Sequence, residues 1–334
     1  MTFAKDRYEQ MAYRRCGRSG LKLPEISLGF WQVLGEPGNE QLCRDVMFHA
    51  FNRGITHFDF ANNYGPPYGN AELVAGKWLK EMPRDELVIS TKAGYNMWPG
   101  PYGEWGSRKY LIASCDQSLK RLGLDYVDIF YSHRFDPDTP LEETLGALDT
   151  IVKSGKALYA GVSSYNAEQF ANAMRVVREN NLTRILIHQP AMNMLVRTHE
   201  KHLLPLTEKE GVGVIAFCPL AQGILTDRYR VGIPEDSRRG KLGDAGKKWY
   251  DGLAAKGVWE KVEKLAQIAE RRGQALAQMA LAWLLRDARV TSVLIGISRM
   301  EQLDQNLDAL KNKSFSTDEL KQIEDILGPN ESSL

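Results

Sequence analysis

Cysteine is scarce, with four residues in 334, at Cys16, Cys43, Cys115 and Cys218. They lie far apart, with no CxxC pair and no histidine cluster beside them, so neither a disulfide framework nor a zinc site is expected, and the thiols read as reduced cytosolic ones. Long apolar runs are missing too. The strand-like stretches are broken by Gly, Pro or charge well short of the roughly 18 residues a membrane span needs. The opening Met1-Thr2-Phe3-Ala4-Lys5-Asp6-Arg7 has no apolar core and no cleavage-like site, so a secretory signal is not expected and a cytoplasmic location is. Charge of one sign is absent as well: 43 Lys+Arg stand against 42 Asp+Glu, a formal net charge of +1. Nothing in that balance points to a nucleic-acid or anionic-membrane partner. Nor is there a GxGxxG turn after the first strand-like run, where the sequence reads Leu28-Gly29-Phe30-Trp31-Gln32, and Ser154-Gly155-Lys156 lacks the rest of a phosphate loop.

What is present is ordinary in bulk and regular in order. Apolar residues make up 43% of the chain and charged ones 25%, the balance of a soluble globular protein. Short β-like runs on either side of Cys16-Gly17-Arg18-Ser19-Gly20 read as a hairpin. Strand-like runs then follow near 25–29, 55–60, 86–92, 126–132, 157–163, 185–189, 212–217 and 291–295. Helix-like segments lie between them near 39–53, 70–81, 107–121, 141–153, 167–179, 199–210 and 258–285. In 107–121, Ser107 is a cap, and Leu111, Cys115, Ser118, Leu119 and Leu122 share one side. Eight strands alternating with helices predict a (β/α)8 barrel, one domain across 1–334, in preference to a doubly wound sheet. Three connections would stand on its rim: an aromatic, Gly-rich loop from Gly94 to Gly106, a basic loop from about Ala221 to Gly257, and Gly65 to Asn70.

Parallel barrels place chemistry at the C-terminal ends of their strands. Asp59 and Tyr64 follow the second run, Lys92 closes the third and His133 follows the fourth. A phenol, with its reference pKa of about 10, is a poor acid at neutral pH. A nearby ammonium favours phenolate and lowers that value, an imidazole relays or orients, and a carboxylate holds the ammonium in place. The set suits protonating a carbonyl oxygen as hydride reaches its carbon, and hydride needs a nicotinamide or flavin.

Several segments carry a family resemblance. Asp59-Phe60-Ala61-Asn62-Asn63-Tyr64-Gly65, Ser90-Thr91-Lys92 and Tyr131-Ser132-His133-Arg134 resemble the catalytic segments of the aldo-keto reductases. So do Gly161-Val162-Ser163-Ser164-Tyr165, His188-Gln189-Pro190, Phe217 through Gly223, and Ser298 through Asn306. The likeness runs over about 13–327 and is strongest to the branch that holds bacterial glyceraldehyde-phosphate reductases and potassium-channel β-subunits. It implies Tyr64 as general acid, with Lys92 depressing its pKa, Asp59 holding Lys92 and His133 orienting the carbonyl. It further implies an NADP(H) site. Ser163, Ser164 and Gln189 would lie at the nicotinamide amide and Phe217 on the ring. Cys218, Pro219, Leu220, Ala221, Gln222 and Gly223 would take the pyrophosphate, with Arg228 and Arg238 in a clasp. Gly296, Ser298, Gln302, Gln305 and Asn306 would lie at the adenosine end. Three of these positions depart from the family pattern: Ser164 is often Asn or Arg, Gln305 often acidic, and Gly296 often Lys. Trp31 would stand at the mouth between cofactor and substrate, and a small aldehyde would meet Trp31, Tyr64, Trp98, His133 and Arg134. Arg134 and Arg108 are candidates for a substrate phosphate. The resemblance also implies a homo-oligomer, a tetramer or octamer.

Plainer readings exist for many of these residues. Asp59 alone is a turn residue, Lys92 alone a surface lysine, and Gln189 a strand cap. Phe217 alone is barrel core, Cys218 an inert thiol, and His49, His57 and His188 packing or hydrogen-bonding histidines. Trp98, Tyr102 and Trp105 either line a pocket or pin their loop. Two other functions share the motifs. One is a cofactor-sensing subunit like a channel β-subunit, against which His133 argues because channel β-subunits carry Asn there. The other is a barrel aldolase or isomerase using Lys92 as a Schiff-base nucleophile.

Overall fold

The computed structural model describes residues 3–329, 332 and 334. A two-stranded antiparallel hairpin, β1 (Tyr13–Arg15) and β2 (Lys22–Pro24), precedes the barrel. The barrel strands are β3 (Ile26–Gly29), β4 (His57–Asp59), β5 (Val88–Ala93), β6 (Val127–Ser132), β7 (Ala157–Ser163), β8 (Ile185–Gln189), β9 (Gly213–Ala216) and β10 (Ser292–Ile295). All are parallel, and β10 pairs with both β9 and β3, which closes the ring. Seven of the eight are buried along their whole length, which explains why they read as apolar runs and not as alternating ones. The helices are α1 (Glu40–Asn52), α2 (Asn70–Leu79), α3 (Arg108–Leu122), α4 (Leu141–Lys153), α5 (Ala167–Glu179), α6 (Thr198–His202), α7 (Leu204–Glu210), α8 (Asp244–Ala255), α9 (Val258–Arg271), α10 (Leu276–Leu285), α11 (Met300–Leu307) and α12 (Thr317–Leu327).

Local chemistry sets the ends of these elements. Ser107 accepts the Tyr110 amide at 3.2 Å to start α3, and Gly123, left-handed at φ 67°, stops it. The stripe Leu111, Cys115, Ser118, Leu119 and Leu122 is buried, as the spacing predicts. Asn166 with Gln169 and Ser316 with Glu319 form capping boxes on α5 and α12. The main core lies between strands and helices. A second apolar cluster fills the barrel interior, where Cys16 and Leu23 of the hairpin join Val88, Ile129, Tyr131, Leu186, Ile187, Ile215 and Leu294. The hairpin therefore plugs the N-terminal end of the barrel and leaves the other end for chemistry.

Three expectations need correction. The segment 258–285 is two helices, because the chain turns through Gly273 at φ 66° between α9 and α10. The segment 199–210 is also two, α6 and α7, with Pro205 in the first turn of the second. The basic stretch 221–257 is not all loop. It carries α8, where Trp249 packs edge-on against Tyr229 and Trp259 while Tyr250 stacks on Trp259 at 4.5 Å. Helices α11 and α12 follow β10, beyond the helix-like segments that the sequence predicts. Among the described residues no helix is long and apolar enough to cross a membrane, and no metal-binding cluster is found.

Candidate active site

β4, β5 and β6 are neighbours, with Asp59 paired to Ser90 and Lys92 to Tyr131 in register. That registry brings the strand-end residues together. Lys92 and Asp59 are fully buried. The ammonium donates to Asp59 Oδ2 at 2.5 Å and to the Phe60 carbonyl at 2.8 Å. Asp59 Oδ1 accepts from Ser90 Oγ at 2.6 Å and from Gln189 Nε2 at 3.3 Å, so both carboxylate oxygens are satisfied. Lys92 Nζ lies 5.0 Å from the Tyr64 ring centre and 5.7 Å from that of Tyr131. The Tyr64 and His133 rings meet edge-on at 6.0 Å. The four residues predicted to act together are thus one cluster at the rim.

Its electrostatics differ from the expectation at one point. The Tyr64 phenol is pushed well above its usual range, first by burial and then by the negative charge of Asp59, with Cys218 and Tyr95 adding to it. The Lys92 ammonium, paired with Asp59 at hydrogen-bond distance, does not offset this rise. Burial lowers the Lys92 pKa, and the bonds to Asp59 pull it back up. His133 is driven well below the ordinary histidine value by burial, by Lys92 and by Arg134, so the imidazole is neutral at physiological pH.

The aromatic loop is built onto this cluster. Met97 N–H donates to Gly103 O at 2.8 Å and Trp105 N–H to Gly94 O at 3.0 Å, closing the loop on itself. Trp98 leans on Tyr110 at 5.1 Å, and the Tyr110 hydroxyl donates to the Tyr95 carbonyl at 2.6 Å. Tyr95, named only as part of the loop in the sequence reading, sets its ring 4.7 Å from His133. Arg134 lies between Tyr95 and Trp105, while Arg108 is turned to α4, bonded to Gly146 O and Thr150 Oγ1. Trp98 and Trp105 therefore pin the loop, and Tyr95 is the loop aromatic that reaches the cluster.

The other predicted residues extend round the rim. Ser163 Oγ and the Ser164 amide both donate to the Gln189 carbonyl, at 2.8 and 3.1 Å, which orders the β7 and β8 ends. Phe217 is half-buried against the interior cluster. After it, Cys218, Ala221, Gln222 and Gly223 have φ of 52, 49, 57 and 96°, left-handed turns of the kind that gather amide groups into anion-binding concavities. Pro219 and Leu220 lie inside that run. Arg238 crosses from this side to donate to Gln32 Oε1 at 2.9 Å and Gln222 Oε1 at 2.6 Å, with its guanidinium 5.3 Å from the Trp31 ring. Arg228 lies further out, paired with Asp236. Beyond β10, Gly296 is exposed, and Gln302 Oε1 accepts the amides of Ser298 and Arg299 at the start of α11; Gln305 is exposed and Asn306 buried on the same helix. Asp59, Tyr64, Lys92, His133 and Gln189 form one connected group. The residues 217–238 and 296–306 form separate stations along the rim.

The sequence model of the Aldo/keto reductase family matches residues 25–327. The chain belongs to this family. It is 53% identical over 333 residues to the L-glyceraldehyde 3-phosphate reductase of Escherichia coli K12, covering 98% of this chain and 96% of the relative. It is 37% identical to a putative voltage-gated potassium channel subunit beta of Schizosaccharomyces pombe, covering 96% and 94%. The crystal structure of the thermostable aldo-keto reductase Tm1743 with the inhibitor epalrestat superposes with a TM-score of 0.74 at 27% identity, over 95% of this chain and all of that one. The protein is thus an oxidoreductase working with a nicotinamide cofactor, and its kinship supports aldehyde reduction. The residues present suit such a group: the left-handed turn at 221–223 flanked by Arg238 offers amides and positive charge to a diphosphate, and Gln189 lies beside the Lys92–Asp59 pair.

Proposed function

We propose that this protein reduces small aldehydes, glyceraldehyde 3-phosphate and methylglyoxal among them, to alcohols with NADPH, using Tyr64 as proton donor. The observation that carries the reading is the buried Lys92–Asp59 pair set between Tyr64 and a neutral His133. When bound, the nicotinamide supplies the hydride. The chain's own task is then at the carbonyl oxygen. Tyr64, whose phenol keeps its proton to high pH, gives that proton up as negative charge grows on the substrate oxygen. The Lys92 ammonium, 5.0 Å from the ring, stabilises the phenolate left behind, and Asp59 keeps the ammonium charged in a buried place. His133, uncharged, donates a hydrogen bond to the same oxygen without competing as an acid.

In this reading Ser163, Ser164 and Gln189 would hold the nicotinamide amide, with Phe217 at its ring. The turn from Cys218 to Gly223, with Arg228 and Arg238, holds the diphosphate. Gly296, Ser298, Gln302, Gln305 and Asn306 hold the adenosine end. Trp31 and Trp98 border the substrate. The E. coli relative's name supports the phosphorylated substrate. We also place the protein in the cytoplasm as a homo-oligomer, tetramer or octamer, acting on small molecules without a nucleic-acid or membrane partner; the near-zero charge supports the last point.

Tyr64→Phe tests the assignment. It should lower kcat for aldehyde reduction by roughly 10²–10⁴-fold, while NADPH still quenches protein fluorescence with a Kd within about threefold of wild type. Turnover at the wild-type rate would remove Tyr64 as the acid. The likeness to a channel subunit keeps a sensor in view. Sustained multiple-turnover NADPH oxidation by an aldehyde excludes a pure sensor, and a single turnover with retained nucleotide would favour it.

A further inference from the structure

One guanidinium joins the catalytic rim to the aromatic loop. Arg134 follows His133 directly, and its Nε donates to the Gly94 carbonyl at 2.9 Å. Its guanidinium carbon lies 3.4 Å from the Trp105 ring centre and 4.3 Å from that of Tyr95, which in turn sits 4.7 Å from His133. Trp105 is held at φ 69°, a left-handed conformation that non-glycine residues rarely adopt, with its indole against the guanidinium. The cation is therefore fixed on three sides, two steps of ring packing from the reacting centre.

Its counter-ion is held far less firmly. Glu104 meets Arg134 through a single contact, Oε2 to Nη2 at 3.0 Å, and not through the two-point fork that Arg and carboxylate favour. The Glu104 side chain is 44% exposed against 21% for Arg134. The other arginine near the loop, Arg108, spends its guanidinium on Gly146 O and Thr150 Oγ1. A rigid, partly buried guanidinium with a loose, exposed, one-point counter-ion is an anion site in its resting form.

We infer that Arg134 takes the anionic end of the substrate, a phosphate for preference, and that Glu104 is a resting counter-ion which that group displaces. The inference rests on the aldehyde-reductase reading above. A phosphate has the oxygens to engage Nη1 and Nη2 together, which Glu104 does not do here. A neutral aldehyde gains nothing from the exchange. Arg134 thus determines specificity, favouring phosphorylated over unphosphorylated aldehydes of the same chain length.

The test compares glyceraldehyde 3-phosphate with glyceraldehyde. Glu104→Gln should lower KM for the phosphorylated substrate by about two- to fivefold, the worth of releasing an exposed ion pair, and leave KM for glyceraldehyde in place. Arg134→Met should raise KM for the phosphorylated substrate by about 10–100-fold more than for glyceraldehyde, the range for hydrogen bonds to a charged group. Inorganic phosphate should inhibit the wild type competitively, inhibit Glu104→Gln more strongly, and lose its effect on Arg134→Met. Equal changes for both substrates would overturn the inference and leave Arg134 a loop clamp. If Arg134→Met fails to fold, Glu104→Gln and phosphate inhibition decide alone. If the wild type reduces glyceraldehyde but not its phosphate, the substrate reading fails, and phosphate inhibition of glyceraldehyde reduction still decides Arg134.

Discussion

Lys92 and Asp59 are both fully buried, and each supplies what the other needs to stay charged there. Breaking such a pair from one side is costlier than removing it, because a lone charge is left in a dry place, at about 3–5 kcal/mol. Lys92→Met should therefore destabilise the protein by that order, since Ser90 and Gln189 offer Asp59 only neutral donors. Adding Asp59→Asn removes the stranded charge and should recover part of the loss, while turnover stays lost in both variants. Urea midpoints and steady-state rates measure the two effects separately, and a double variant less stable than the single one would contradict the argument. These residues were legible in the sequence because four chemically distinct groups fall at successive strand ends. The direction of the Tyr64 shift was not legible. It depends on how fully Asp59 matches Lys92 and on burial, which only packing decides. Tyr95 and Glu104 were hidden for a similar reason: a loop's sequence does not say which of its side chains turns inward.

At the level of elements, two glycines show how different constraints hide behind one residue type. Gly161, in β7, lies against Tyr131, and a Cβ there would come 2.5 Å from two ring carbons of that fully buried side chain. Gly273 has nothing within 4 Å, and its constraint is a left-handed φ of 66°. Gly273→Ala should cost about 1 kcal/mol and leave kcat alone. Gly161→Ala should cost about 1–3 kcal/mol as overpacking, and lower kcat too, because Tyr131 stands 5.7 Å from Lys92 Nζ. Thermal unfolding with activity assays distinguishes them, and equal effects on kcat would sink the link from Gly161 to the site. The same pair bears on what could be read from sequence. The periodicity of 258–285 continues through Gly273, so the break between α9 and α10 was missed, whereas β7, α4 and α5 were placed to the residue by their bounding turn and cap residues. Helix α8 escaped because Gly246, Gly252 and a run of charges blur its apolar face, which is completed only by Tyr229 and Trp259 from outside it.

Over the whole molecule, the alternation of strands and helices foretold the barrel, but not the strap across its mouth, where Arg238 reaches 206 positions back to Gln32. His57 and His188, expected as packing or hydrogen-bonding histidines, are both fully buried in the barrel. His57 sits inside the ring between Ser27 Oγ and Ser90 Oγ, and burial above all lowers its pKa to about 4. His188 packs edge-on against Tyr165 and Phe170, and burial with the charge of His199 lowers it to about 3. His133 is lowered further below its usual value than a surface histidine would be, by burial, Lys92 and Arg134. All three shifts share one sign. The unfolded chain takes up these protons near pH 6.5 while the folded barrel refuses them, so stability is complete above that pH and falls as pH drops below it. Each histidine should contribute a slope of about 1.4 kcal/mol per pH unit between pH 6.5 and its folded value. Urea unfolding at pH 8, 7, 6 and 5 should thus give a plateau and then a steep decline, beginning above the range where carboxylates titrate. His188→Leu, which replaces a ring packed edge-on against Tyr165 and Phe170, should make that decline shallower by one proton and leave the plateau's onset where it was. A stability that stays level down to pH 5 would mean that the barrel admits protons to these rings, and with them that His133 is not the neutral partner of Tyr64 that the proposed chemistry requires.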